Sequence, residues 1–339
     1  MDILLSLPIV SYFLAPAMTS WTTSLNLLFF YMTWTTLVLS HGPLKIELLG
    51  TLALRVFLWL CPSFLFLLFD TLLPSLSESI KTAGAAALPP TNGPFLLKTL
   101  LLALINLVLA AGLEGGVSLA WASYFHEPLF RASTALPLPF QLVKYIALLI
   151  AVREILTFYI HTRILHSRGR RFTSTRIGKL HTSYAHSRAA PPFSLMAYAD
   201  HPIPFLLHRI VPIFVPALAL RPHLLTYFLF VGFCTAEETL AMSGYSIVPG
   251  IIMGGITRRT AIHYAGKGEG NYGAWGVMDW AHGTSSGQDV IDDMKAEAEK
   301  HRLKERGENA ANHGANFLQD GIQELKKGRG RKGKKKATE

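Results

Sequence analysis

The sequence predicts an all-α protein: an integral membrane helical bundle with about four to six membrane helices and a cytoplasmic, histidine-bearing helical cap. Three observations predict it. Half of the 339 residues are apolar and only 16% are charged, with positive mean hydropathy, a composition that points away from soluble domains. Apolar runs long enough to cross a bilayer recur along the chain, beginning with a stretch from residue 3 to 40 that has no charge at all. The pattern H-T-x-x-x-H-S then occurs twice, at residues 161–167 and 181–187, at the end of an apolar run.

The first span is expected near residues 19–40, with Trp21 and Trp34 as interface anchors. The acid at position 2 and the lack of a basic leader argue against a cleaved signal peptide. The second run, 46–73, carries Arg55 and Asp70 with a 14-residue apolar stretch between them, a spacing that lets the charges snorkel towards opposite membrane faces. Residues 78–95 hold Gly, Pro, Ser and Ala and read as a loop. The third run, 99–113, ends at Glu114 and is short for a full crossing, so a tilted or partly re-entrant helix is expected. Three prolines in 126–139 mark a connector. A helix over 141–160, with Lys144 and Arg153 off the lipid face, then delivers His161 and His166 to the membrane boundary.

Between His161 and Arg188 the basic residues are unopposed by any acid, which places this segment in the cytoplasm. A helical hairpin over 204–220 and 224–242, turning at Arg221-Pro222-His223, returns the chain to the same side. After Gly244 the sequence becomes glycine-rich and polar, with a solvated helix expected over 290–304. Residues 326–339 hold eight basic residues against Glu339 alone. Such a tail is solvated and sits near anionic lipid or RNA without a catalytic role; no nucleic-acid partner is expected. Its Lys335-Lys336-Ala337-Thr338-Glu339 end is similar to a dilysine retrieval signal set one residue inward. The chain divides at about 1–135, 136–284 and 285–339. Only two cysteines, Cys61 and Cys234, exclude a disulfide framework or a cysteine metal cluster.

Histidine is the commonest neutral nitrogen ligand for zinc and iron. Residues five apart on an ideal α-helix lie roughly 140° apart, so His161 and His166 do not share a face. Binding one centre requires a distorted turn, or a second histidine just past the helix end; the same holds for His181 and His186. The alternative is interfacial histidines with their polar tips in the headgroup layer. His208 reads as a helix-surface residue, His223 as a turn residue, and His126, His282, His301 and His313 as solvated. The stretch 266–270 lacks the spacing of a phosphate-binding loop and reads as flexible.

The succession H-x4-H at His161/His166, K-L-H-x4-H at 179–186, A-Y-A-D-H-P at 197–202, S-G-Y at 243–245 and N-Y-G-x-W-x-x-x-D-W-x-x-G-T at 271–284 resembles the fatty acid hydroxylase/sterol desaturase superfamily. The pieces cover about 145–284 in that family's order. The resemblance implies a multi-pass protein of the endoplasmic reticulum membrane with a cytoplasmic non-heme centre of two iron ions. It implies hydroxylation or desaturation of a lipid substrate (a fatty acyl chain, sphingolipid or sterol) in lipid biosynthesis, with cytochrome b5 or a reductase as electron donor. Such chemistry suits a metal, because no side chain activates dioxygen for attack on an unactivated C–H bond.

The chain also departs from that family's pattern. Tyr184 and Ala185 stand where its second box pairs two histidines, Arg259 and Ile262 stand at positions of its last box, and Met242 stands where some members place a histidine. The implied ligands are His161, His166, His181, His186 and His263, with His201 and Glu238 as further candidates. Glu238 has a rival role as an ion-pair partner of Arg258 or Arg259. Two functions therefore follow: an active oxidoreductase with a reduced ligand set, or a non-catalytic lipid-binding or scaffold relative whose metal site has degraded.

Overall fold

A computed structural model describes residues 21–166, 172–246 and 253–300. Among them there is no strand, only two isolated bridges pairing Lys81 with Tyr245 and Arg131 with His223. The helices are α1 (Trp21–Ser40), α2 (Pro43–Leu72), α3 (Pro74–Ile80), α4 (Gly93–Phe125), α5 (Pro139–Ile160), α6 (Phe172–Tyr184), α7 (Pro202–Leu220), α8 (Leu224–Ser243), α9 (Met253–Ala265), α10 (Val277–His282) and α11 (Val290–Lys300). Four of them, α2, α4, α7 and α8, are long and apolar enough to cross a membrane. The N-terminal 20 residues and the basic tail beyond residue 300, with its dilysine-like end, lie outside the described residues.

Local signals set the ends. Pro43 and Pro139 open α2 and α5 at positions where a backbone donor is not needed. The Asn92 side chain accepts from the Phe95 amide and caps α4. His126 and Arg221 adopt left-handed conformations that stop α4 and α7.

Successive long helices run in opposite directions, and contacts at each end of the bundle show it. At one end the Trp34 indole of α1 donates to the Ser133 carbonyl, and the Leu224 amide opening α8 donates to Arg131. At the other, the Tyr245 phenol donates to Asp70, near the end of α2.

The long helices are apolar outside and polar inside. Phe57, Leu65 and Val108 face outwards, about two-thirds exposed, as lipid-facing side chains do. Inside, Arg55 of α2 forms a two-pronged pair with Glu114 of α4 at 2.6 and 2.8 Å. This corrects two sequence expectations. Arg55 and Asp70 do not snorkel: both are buried, Arg55 on Glu114 and Asp70 on Lys81, Ser77 and Tyr245. Nor does the third run end at Glu114. Because that carboxylate is neutralised inside the bundle, α4 continues through it for 33 residues, about 50 Å of continuous helix at 1.5 Å per residue. Lys81, expected in a loop, is fixed between Asp70 and the Ala87 carbonyl.

Behind the long helices, residues 191–200 form a buried plug containing a 3-10 turn, Ser194–Tyr198. Trp59 stacks on Tyr198 at 4.0 Å, and Asn106 of α4 donates to the Tyr198 and Asp200 carbonyls. The N-terminal helices thereby hold the segment that carries Asp200.

Candidate metal centre

The two histidine pairs reach one place by the two devices that their spacing demands. Residues His161–Leu165 form a π turn continuing α5, and the His166 amide donates to the His161 carbonyl at 2.8 Å. The wider turn rotates each residue by less than an α turn, so a five-residue step brings both rings to one side; their centroids are 4.8 Å apart. His181 sits in the last turn of α6, and His186 follows two residues after the helix ends, with ring centroids 4.9 Å apart. His166 lies 5.0 Å from both His181 and His186, which joins the pairs.

His263 of α9 completes the approach, 4.7 Å from His161 and 4.9 Å from His186. The ligand atoms of His161, His166, His181 and His186 all lie within 4.8 Å of one another. A sixth ring was not expected. His208, read from sequence as a helix-surface residue, stands 4.1 Å from His161 and 6.0 Å from His181. It lies in another π turn, Leu206–Ile210, near the start of α7. No histidine spacing announces it, so the sequence carried no signal for its membership.

Three rings are held from behind. His181 Nδ1 lies 2.6 Å from Asp200 Oδ2, His161 Nδ1 lies 2.8 Å from the Tyr272 carbonyl, and His263 Nδ1 lies 2.6 Å from the Gly270 carbonyl. A ring that donates from Nδ1 presents the Nε2 lone pair on its other side, the arrangement of metal-bound histidines. The Nε2 atoms of His161, His166, His181 and His263, and both ring nitrogens of His186, are buried without a hydrogen-bond partner. Several unpartnered acceptors in one buried spot are costly unless a cation satisfies them. Burial and the neighbouring imidazoles push His166 down to about 2 and His263 to about 4, and hold His161 and His186 well below the ordinary histidine value of 6.5. These rings are therefore neutral, the form that coordinates a metal. All-nitrogen donors of this kind suit iron, zinc and neighbouring first-row ions.

The segment after α9 supplies the backing carbonyls. Asp279 accepts from the Tyr272 and Gly273 amides at 2.8 and 2.6 Å and from the Thr284 hydroxyl at 2.7 Å. Glu154 of α5 accepts from the Trp275, Val277 and Met278 amides. The N-Y-G…D…G-T stretch is thus a frame for the carbonyls behind His161 and His263. Gly268, expected in a flexible loop, is packed against the His166 ring with φ +88°, and its amide donates to the His263 carbonyl. A side chain there would collide with the imidazole.

Two sequence candidates are engaged by other partners, although Glu238 lines the same small cavity as His161, His208 and His263. His201 caps α7, its Nδ1 accepting from the Ile203 amide, and its ring lies against Tyr184. Glu238 pairs with Arg153 at 3.1 Å and Arg209 at 3.4 Å. The predicted partners Arg258 and Arg259 instead bind Asp293 of α11. Glu237 and Glu238 face α5, where Arg153 reaches both.

Residues 146–284 match the protein family described as fatty acid hydroxylase. This match over residues 146–284 supports membership in the fatty acid hydroxylase/sterol desaturase superfamily. The matched span holds all six clustered histidines, Asp200 and the frame around Asp279, and nearly coincides with the 145–284 that the motifs mark out. No solved structure matches the chain.

Proposed function

We propose that the protein is a membrane-bound, iron-dependent oxidoreductase that hydroxylates or desaturates a lipid in lipid biosynthesis. The observation that carries this reading is the cluster of imidazoles whose buried, unpartnered nitrogens lie close together. It agrees with the family match and with a chain built of membrane-length helices. His161, His166, His181, His186 and His263 would hold the metal, which when bound supplies the dioxygen activation that side chains lack. Asp200 and the Tyr272 and Gly270 carbonyls orient three of those rings. A cavity of about 60 Å³ adjoins His161, His208 and His263, bounded by Thr157, Met242 and Ile256 among others. This is less than half the roughly 150 Å³ that admits a benzene, so on this side a lipid carbon enters as the surrounding helices part; wider openings of about 470 and 520 Å³ reach His166.

In this proposal the cluster faces the cytoplasm at the endoplasmic reticulum membrane, because Arg163, Arg176, Lys179 and Arg188 surround its sequence without an acid. Electrons then come from a cytoplasmic donor, cytochrome b5 or a reductase. The test is purified, iron-loaded protein in lipid nanodiscs with a reductant and dioxygen, the lipids read by mass spectrometry. A gain of one oxygen or a loss of two hydrogens, abolished by His161→Ala, is expected. Iron-replete protein that leaves sphingolipid, sterol and acyl pools unchanged would overturn the reading in favour of a non-catalytic lipid-binding relative.

A further inference from the structure

We infer that this centre takes a single metal ion per chain, in an all-imidazole nest that includes His208, with a buried arginine–glutamate block beside it in place of a second ion. The inference rests on the metal-site reading above and narrows it, since the resemblance implies two ions.

The ligand atoms of His161, His166, His181 and His186 lie within 4.8 Å of one another, close enough to share one ion, and His263 and His208 adjoin that group through His161. Metal-bound imidazole nitrogens lie about 2.0–2.1 Å from the ion, which sets neighbouring ring centres roughly 4–5 Å apart. His208, His263, His166, His181 and His186 stand in ring contacts of 4.1–5.0 Å with at least one other member of the group. A pair of ions about 3.5–4 Å apart needs a second set of donors, and the structure directs the available groups elsewhere. Among the described residues, Asp200 stands behind His181, and Glu237 and Glu238 are turned to Arg153. Tyr184, at a position where the resemblance expects a ligand, is 38% exposed and lies against His201. Arg259 is bound to Asp293 and the Trp275 carbonyl. Met242 lies 4.0 Å from Arg209 Nη2 through its sulfur.

The flank of the nest is electrostatically complete. Arg153 and Arg209 face Glu237 and Glu238 across α5, α7 and α8, two cations balanced by two anions. Arg209 is the residue after His208, so its guanidinium stands beside the nest. A second dication there would face the guanidinium's repulsion while the carboxylates that offset it are already engaged.

The experiment is a cobalt(II) titration of full-length, chelator-stripped protein in detergent, followed by d–d absorption and by elemental analysis. Saturation at one equivalent, with one ion per chain, is expected. His208→Ala should weaken binding at least tenfold, whereas His201→Ala, outside the nest, should leave it unchanged. Saturation at two equivalents would overturn the single-ion inference and leave the proposed function standing; no binding at all would overturn both. His208→Gln, with the melting temperature of the stripped protein measured in parallel, separates ligand loss from fold loss. Weakened binding at an unchanged melting temperature supports a ligand, and unchanged binding removes His208 from the nest.

Discussion

The backbone amide of His166 donates to the carbonyl of His161 at 2.8 Å, closing a five-residue turn. On an α-helix the same two residues would point to different sides. The π turn removes that conflict at its source, and the α6 pair solves the identical problem differently, by ending the helix before His186. Identical H-T-x-x-x-H-S strings thus adopt unlike backbones to reach one centre.

The π turn is seated on Gly178. A Cβ at this position would lie 2.5 Å from the Leu165 carbonyl oxygen, a backbone atom that cannot step aside. Gly178→Ala is therefore expected to push α6, with His181, away from the turn at a cost of about 1–3 kcal/mol. Bound metal per chain after dialysis should fall below that of the wild type; equal retention would mean that the two elements are not in contact.

Asp200 lies behind His181, where it fixes the ring. Asp200→Asn removes the negative charge and is expected to lower metal affinity by about 10–100-fold. Competition against a chelator of known affinity measures it. Asp200 also accepts from the His201 amide, so a melting curve should accompany the titration.

Glu238 and Arg153 separate charge neutralisation from ligation. Glu238→Gln should leave metal content unchanged, because its carboxylate is engaged by two arginines. Arg153→Ala leaves Glu237 and Glu238 buried without their main partner, a loss of about 3–5 kcal/mol. Elemental analysis of the first variant and thermal unfolding of the second check the pair of outcomes; metal lost on Glu238→Gln would make that residue a ligand after all.

The pair Arg55–Glu114 gives a sharper contrast, since both side chains are nearly fully buried. Arg55→Leu alone should cost about 3–5 kcal/mol, while Arg55→Leu with Glu114→Leu should be nearly neutral or stabilising. Thermal unfolding in detergent distinguishes the two. Additive losses would show that the charges are not coupled.

Acid should destabilise the metal-free protein through its buried histidines. His263 is pushed down to about 4 from 6.5, so the unfolded chain takes up a proton that the folded chain refuses. Its contribution to stability is complete above pH 6.5 and is lost as the pH falls from 6.5 towards 4, about 2 kcal/mol by pH 5. His161, His166 and His186 shift in the same direction and add to the effect. Melting of stripped protein at pH 5 and 7.5 tests it; His263→Gln should reduce the difference.

The sequence by itself determined the helical membrane class, the hairpin around Arg221 and the resemblance to the family, because apolar run length, proline and glycine punctuation and motif order are local properties. It also named five of the six clustered histidines, through their spacing and the family's motif positions. Tertiary structure decided the rest. His208 joins the cluster only because α7 begins with a π turn packed beside His161, a relationship 47 residues long in sequence and silent in pattern. His201 and Glu238 were legible as metal-capable residue types, but a helix cap takes one and two arginines take the other. The partners of Arg55, Asp70 and Arg153 were equally hidden. Inside a bilayer each buried charge must find its counter-charge across the bundle, and which helix brings it is fixed by packing.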